Sequence, residues 1–459
     1  MKWWAICQVN NINLVKNYIK IEKGVAILGV QYDLEKVLLS DYNQSWSHNG
    51  VSGERIAKRL GDLSKIGLTS QHGVSRVGFS PLEQQAKELV MNWMRDAGMT
   101  VTQDGAGNVV GRIAGLNNDA DSIASGSHVD SVPEGGHFDG PLGVIAALEV
   151  AESWKDQGIT PTKPYEVYIF TDEEGTRFNG GLTGSRAMTG ALDMETQVTL
   201  KDADGFTFEE VLATTGKTLE GFTQAKRENL GIERFIEVHI EQGKKLEQAN
   251  LPVGIVKGIA GPSWTEIIYE GKAGHAGNTP MDDRQDALTA ACELILYIEN
   301  APLLVSTTGV ATVGKMQVEP NGANVIPGKV TLITDIRDSE EHSRDQIVSN
   351  VVNKAQEIAT SRNVEVTITE KMRTPPVPIG DEMTRILNSV FDEMKINKQY
   401  LVSGAGHDAM MLGAHIPVAM IFTRSKDGVS HNPAEWTTLT DCTISAHVLK
   451  QAIEKCMEQ

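Results

Sequence analysis

The residues best suited to chemistry are crowded into one stretch, Gly126-Ser-His-Val-Asp-Ser-Val-Pro-Glu-Gly-Gly-His-Phe-Asp-Gly-Pro-Leu-Gly143. His128 and Asp130 stand two apart, so on extended chain they share a face, and the Asp130 carboxylate can orient the imidazole from behind. Asp139 opens the following helical run, where a carboxylate can reach one metal ion or bridge two. Imidazole and carboxylate donors without a thiolate suit zinc, manganese or cobalt. Between the candidate ligands, Glu134 and His137 read as solvent-facing, and Gly135, Gly136 and Gly140 as residues that let the chain turn tightly.

Further polar clusters recur along the chain. Thr171-Asp-Glu-Glu-Gly175 follows the apolar run Tyr165 to Phe170. Where a strand turns, Glu173 and Glu174 can point apart, one to bind metal and one to move protons; alone, the pair is equally a solvated acidic turn. His239 ends another apolar run, and by itself reads as a satisfied core histidine. His431 lies in a loop ahead of Pro433. Three strand ends bearing His, Asp and Glu in one chain weigh against the bland readings taken singly. Gly274 to Pro280 and Asn321 to Pro327 carry His275 and Asn324, with Arg337 downstream; turn chemistry accounts for the Gly, Asn and Pro residues but not for His275 or Arg337. His407 and Asp408 divide between substrate contact and a helix cap. His48, His72, His342 and His415 belong to no constellation.

Elements must bring these groups together. A strand at Ile123 to Ser127 feeds the first cluster, and a helix from Leu142 to Trp154 follows, with Pro141 tolerated in its first turn. Helices through Ile56, Leu60 and Leu63 and from Pro81 to Gly98, a strand pair at Val101 to Gln103 and Asn108 to Ile113, and strands at Tyr165 and Phe235 complete the pattern. Strands alternating with helices predict an α/β fold with a mixed sheet, which places its chemistry beyond the carboxyl ends of its strands. From Ile259 the texture changes to β-α-β-β-α-β, ending with a strand at Val364 to Thr369: a ferredoxin-like unit inserted into the larger one. The expected division is a metal-binding catalytic domain over 51–258 and 373–459, an inserted lid and dimerisation domain over 259–372, and an N-terminal extension over 1–50 without chemistry of its own, with order beginning near Val51.

Composition narrows the function. The 459 residues are 40% hydrophobic and 22% charged, enough for a large core. Sixty acidic against 42 basic residues give a formal charge of −18, which argues against nucleic acid and anionic membranes. Four cysteines without a CxxC pair read as reduced thiols of a cytoplasmic protein. No apolar run is long enough to cross a bilayer.

Taken together, Gly126-Ser-His-Val-Asp130, Phe138-Asp-Gly-Pro141, Thr171-Asp-Glu-Glu-Gly175, Val238-His-Ile-Glu-Gln-Gly243, His275-Ala-Gly and Val429-Ser-His-Asn-Pro-Ala-Glu435 resemble the dinuclear zinc-peptidase superfamily that includes carboxypeptidase G. Within it they resemble the amidase branch: N-carbamoyl-L-amino-acid hydrolases, allantoate amidohydrolases and β-ureidopropionases. The resemblance implies two divalent ions (zinc, manganese or cobalt), with Asp139 bridging, His128 and His239 completing one site, and Glu174 and His431 the other. It implies Glu173 as general base, His275 as oxyanion donor supplied across a homodimer, and Gln242, Asn324 and Arg337 around a small substrate that carries a carboxylate. Peptidase members usually have an acid where this chain has His239. Allantoate enzymes commonly carry a basic residue within the segment that here reads Gly258-Ile-Ala-Gly-Pro-Ser-Trp264. Both departures favour hydrolysis of an N-carbamoyl-L-amino acid to the amino acid, CO2 and ammonia, with allantoate amidohydrolase or β-ureidopropionase as alternatives and an aminoacylase or dipeptidase behind them. Hinges are expected near Ile259 and Met372.

Overall fold

A computed structural model describes residues 32–458; Cys7 and the greater part of the expected N-terminal extension lie outside them. Order begins earlier than Val51. Helix α1 (Leu34–Ser40), capped by Asp33, buries Leu34 and Leu38 against α2 (Gly53–Ser64), so this part of the extension belongs to the main core. Helix α3 (Pro81–Asp96) starts at a Ser80 cap with Pro81 in its first turn and lies on the antiparallel pair β1 (Thr100–Gln103) and β2 (Val109–Ile113).

Strand β3 (Ser122–His128) is buried at every position, as a central parallel strand must be. Helix α4 (Pro141–Gln157) is buried continuously from Pro141 to Trp154 and ends at a left-handed Gly158. Strand β4 (Tyr165–Phe170) is followed by four short helices that the sequence did not announce: α5 (Thr183–Thr189), α6 (Met194–Gln197), α7 (Phe208–Thr214) and α8 (Leu219–Gln224). They close over a separate cluster in which the Phe208 ring meets Phe79 and Phe222 edge-on at 5.5 and 5.2 Å. Strand β5 (Ile232–Ile240), helix α9 (Lys245–Ala249) and strand β6 (Val253–Ile259) lead out of this unit.

The next segment builds a second sheet with its own core. Its elements are β7 (Gly261–Glu270), β8 (Gly274–His275), α10 (Ala287–Asn300), β9 (Val310–Glu319), β10 (Val325–Ile326), β11 (Lys329–Asp338), α11 (Glu341–Arg362) and β12 (Glu365–Arg373). The four long strands pair antiparallel in the order β12-β7-β11-β9. Burial alternates strictly along β7 and β11, the period of a sheet with one covered face, and α10 and α11 cover it. The two-strand ribbon β8-β10 pairs His275 with Val325, the residue after Asn324.

The chain then returns to the first sheet through β13 (Val377–Pro378), α12 (Asp381–Glu393), β14 (Tyr400–Ser403), α13 (Asp408–Gly413), β15 (Val418–Thr423) and α14 (Leu439–Met457). That nine-stranded sheet runs β1-β2-β4-β3-β5-β15-β6-β13, with β14 also on β6. Its four middle strands, β4, β3, β5 and β15, are mutually parallel, and α4 and α14 pack together over β3 and β5. Parallel strands release their carboxyl ends at one edge, which is where every strand-borne candidate emerges. No helix among the described residues is long and apolar enough to cross a membrane.

Candidate metal centre

His128 is the last residue of β3 and pairs in register with Phe170, directly ahead of the Thr171 to Gly175 turn; His239 pairs with Phe422 near the end of β15. Sheet register alone therefore sets the two imidazoles and the two glutamates side by side. Asp139 arrives by the loop before α4, and His431 by the loop after β15.

These five side chains form two ligand sets that share one residue: His128, Asp139 and His239, all buried, and Asp139, Glu174 and His431, with His431 half exposed. Asp139 Oδ1 lies 3.0 Å from His239 Nε2 and 3.6 Å from His128 Nε2, while Oδ2 lies 3.5 Å from His431 Nε2. His431 Nε2 is 3.3 Å from Glu174 Oε2. One carboxylate with its two oxygens turned to different donor sets is the arrangement a bridge requires. The donors also fit cations by their unmet valence, since His128 Nε2 is fully buried without a hydrogen-bond partner. Asp139 is held well below the usual carboxylate range: burial opposes its ionisation, but the His239 and His128 imidazoles outweigh burial. In return the His128 imidazole is raised well above its ordinary value against burial, chiefly by Glu173 and Asp139. A cation bound by this imidazole would take the place of that proton, since a ligating nitrogen must be unprotonated.

Glu173 Oε2 is 3.7 Å from His128 Nε2. Burial first, then the charges of Glu174, Asp408 and Asp130, pushes its carboxyl well above the usual range, which suits a group that takes and returns a proton. Glu174 is pushed to about 8 by burial and by Asp139.

Several supporting contacts differ from expectation. The Asp130 carboxylate stands 3.7 Å from His128 Nδ1; it is the backbone carbonyl of Asp130 that meets this nitrogen, at 3.1 Å. The carboxylate instead accepts the N–H groups of Glu173 and Glu174, each at 3.2 Å, and so fixes the turn that aims both glutamates. His137 does not face solvent: it is buried, its Nε2 2.8 Å from the His72 carbonyl, and the Tyr32 ring stacks on both histidines. Glu134 is half-buried and accepts the Thr69 hydroxyl. Gly140 has φ +79°, and a Cβ there would fall 2.5 Å from the His128 ring, so the turn and the close approach both require glycine. Gln242 donates its amide to Asp139 Oδ2 at 2.7 Å.

His275, Asn324 and Arg337 belong to the second sheet and its ribbon; among the described residues none of them makes a hydrogen bond or ion pair to the five. Arg337 is engaged by Asp335, at 2.7 Å from Nη2, and donates Nη1 to the Gly404 carbonyl at 2.8 Å.

Two further residues adjoin the ligands: His407, which the sequence left between substrate contact and helix cap, and Glu435, which escaped sequence reasoning. His407 heads α13 and tilts its ring against His239, centroids 4.4 Å apart, with Nε2 2.7 Å from the Ser403 hydroxyl; burial and the His239 charge hold it well below the ordinary histidine value. Glu435 is buried against the peptide of Asp139 and pushed to about 7 by burial and by Asp139. The Ser-His-Asn-Pro-Ala-Glu spacing was the one sign of Glu435 in the sequence.

Known proteins match this chain over most of its length. The model of peptidase family M20/M25/M40 matches residues 124–455. The chain is 42% identical over 403 residues to an N-carbamoyl-L-amino acid amidohydrolase of Geobacillus stearothermophilus, spanning 88% of this chain and 98% of that one. It is 34% identical over 397 residues to an allantoate amidohydrolase of Bacillus subtilis, spanning 86% and 95%. Among solved structures, an amidase of the hydantoinase/carbamoylase family from Burkholderia multivorans superposes with a TM-score of 0.80 at 35% identity, over 88% and 98% of the two chains.

Proposed function

Because this chain belongs to peptidase family M20/M25/M40, we propose that its site hydrolyses the ureido bond of an N-carbamoyl-L-amino acid, giving the L-amino acid, CO2 and ammonia. The observation that carries this is Asp139, whose two carboxylate oxygens face two separate histidine-bearing sets beside a raised Glu173. His128, His239 and Asp139 would hold one divalent cation, and Asp139, Glu174 and His431 the other. When bound, such a pair (zinc, manganese or cobalt) makes water a nucleophile near neutral pH, bringing its pKa to about 7.

Glu173 would take a proton from the attacking water as it adds to the ureido carbon and return it to the nitrogen that leaves; the carbamate left behind then loses CO2, which frees the second nitrogen and completes the products. The water-excluding walls of the site keep this carboxyl basic enough for the first task and acidic enough for the second. Gln242 steadies Asp139 and lines the pocket. In this reading residues 51–258 and 373–459 form the catalytic unit, and residues 259–372 a lid that pairs two copies of the chain. His275 of one copy would stabilise the oxyanion formed in the other, and Asn324 with Arg337 would hold the substrate carboxylate.

The deciding assay measures ammonia from N-carbamoyl-L-methionine and from allantoate, and methionine from N-acetyl-L-methionine, on protein loaded in turn with zinc, manganese and cobalt. Ammonia from the carbamoyl substrate should dominate. Preferred cleavage of the acetyl compound would move the chain to the aminoacylases, and preferred turnover of allantoate to the allantoate enzymes.

A further inference from the structure

We infer that Glu435 is a positioning residue that fixes the half-exposed second metal site, the one completed by His431, to the bridging carboxylate Asp139, while the buried first site stands without it. The inference rests on the two-ion reading above and concerns only how the chain holds its own ligands in place.

The two sites are built differently. His128 and His239 sit on adjacent parallel strands, whose register holds them whatever the loops do. His431 has no strand beneath it: it lies in the loop between β15 and α14 at φ +53°, and is the exposed member of its set. Something else must set its distance to Asp139.

Glu435 is 2% exposed and lies four residues beyond His431. Its Oε1 accepts the backbone N–H of Phe138 at 2.8 Å and of Asp139 itself at 3.1 Å. Its Oε2 is 2.8 Å from the hydroxyl of Ser430, the residue before His431, and that hydroxyl is 2.5 Å from Asp139 Oδ2. The same side chain thus grips the peptide of the bridge and the stem of the loop that carries the last ligand.

The opposing surface is shaped to receive it. A Cβ at Gly136 would fall 2.1 Å from Glu435 Oε1, and one at Gly73 would fall 2.8 Å from Pro433 Cγ, so two glycines open the space the loop fills. Trp436 closes the far side with its ring edge-on to Phe138, centroids 5.7 Å apart. Glu435 belongs to neither ligand set, and both its oxygens accept hydrogen bonds from the peptide and the loop they join.

The test counts metals. Full-length wild type, Glu435→Ala and Glu435→Gln are loaded with zinc, and zinc per chain is measured by mass spectrometry during titration with a graded chelator, alongside thermal denaturation. Wild type should hold two ions. Losing an outer partner typically costs about 10–100-fold in metal affinity, and in Glu435→Ala that loss should fall on one ion only, with the other released at the wild-type chelator concentration. Glu435→Gln keeps an acceptor oxygen for the two N–H groups and should recover most of the second ion. Should Glu435→Ala fail to fold, Gly136→Ala makes the same test, because it displaces the Glu435 carboxylate without removing it and should also shed one ion. Two ions held normally in these variants, or both ions weakened equally, would overturn the inference. Fewer than two ions in wild type would instead defeat the two-ion reading itself.

Discussion

Glu173 and Glu174 are neighbours in sequence that face different partners, and the difference is positional. Glu174 reaches His431 and the second ligand set, whereas Glu173 turns to His128 Nε2. Glu173→Gln keeps the shape and removes the proton acceptor, so metal content should stay at two ions while kcat falls by about 10²–10⁴, read by elemental analysis beside steady-state ammonia release; ordinary turnover in that variant would take the general base away from Glu173. Arg337→Lys keeps the charge but could not make a two-pronged contact of the kind proposed for Arg337 with the substrate carboxylate, and KM for N-carbamoyl-L-methionine should rise about tenfold or more with kcat little changed. An unchanged KM would leave Arg337 as a strap between Asp335 and the Gly404 carbonyl and nothing more. The donor types of the five ligand candidates were legible because His, Asp and Glu at successive strand ends have few structural reasons to recur. Glu435 was not, because its partners are backbone N–H groups 296 and 297 positions away, which no local spacing encodes.

Elements deliver those residues, and the long ones announced themselves. Strands β3, β4 and β5 read as apolar runs because both faces are covered, whereas burial alternates along β7 and β11 because one face is not. Helices α5 to α8 went unread: with four to seven residues each, none spans enough turns to show a period, and their shared core is an assembly of four phenylalanines from separate segments. The entry to α4 ties element to site most closely. No side chain caps that helix; Gly140 does the work at φ +79° with the His128 ring against it. Gly140→Ala should cost about 1–3 kcal/mol in backbone strain, lower the melting temperature, and release the ion proposed for His128 and His239 at a lower chelator concentration. A variant with wild-type melting and metal retention would show that the turn relaxes without moving the imidazole.

Across the whole molecule, the described chain closes on itself where the sequence suggested an appendage. The turn Gln44–Trp46 lies against α14, and the His447 ring donates from Nε2 to the Trp46 carbonyl at 2.8 Å. His48, read as solitary, stacks on that ring with centroids 4.2 Å apart. The clasp could not be read in advance, because it pairs a backbone carbonyl with a histidine 401 positions away. Burial, opposed by the bond to Trp46 and reinforced by His48 and Lys450, lowers the His447 pKa to about 4. Unfolded, the same imidazole titrates near 6.5. Above that value both states are neutral and the clasp contributes in full; between about 6.5 and 4 the unfolded chain takes up a proton that the native one refuses, so stability falls with pH, by up to about 3 kcal/mol once the folded pKa is reached. Glu149 and Glu435, both pushed to about 7, tilt stability the other way as pH falls from 7 towards the ordinary carboxylate range. Wild type alone therefore reports a sum, and the clean measurement is a difference. His447→Gln keeps an N–H for the Trp46 carbonyl and cannot titrate. Urea unfolding of both proteins from pH 7 to pH 4 should show wild type losing more stability than the variant on acidification, with the gap opening below about 6.5; parallel profiles would mean that His447 takes up its proton without disturbing the clasp.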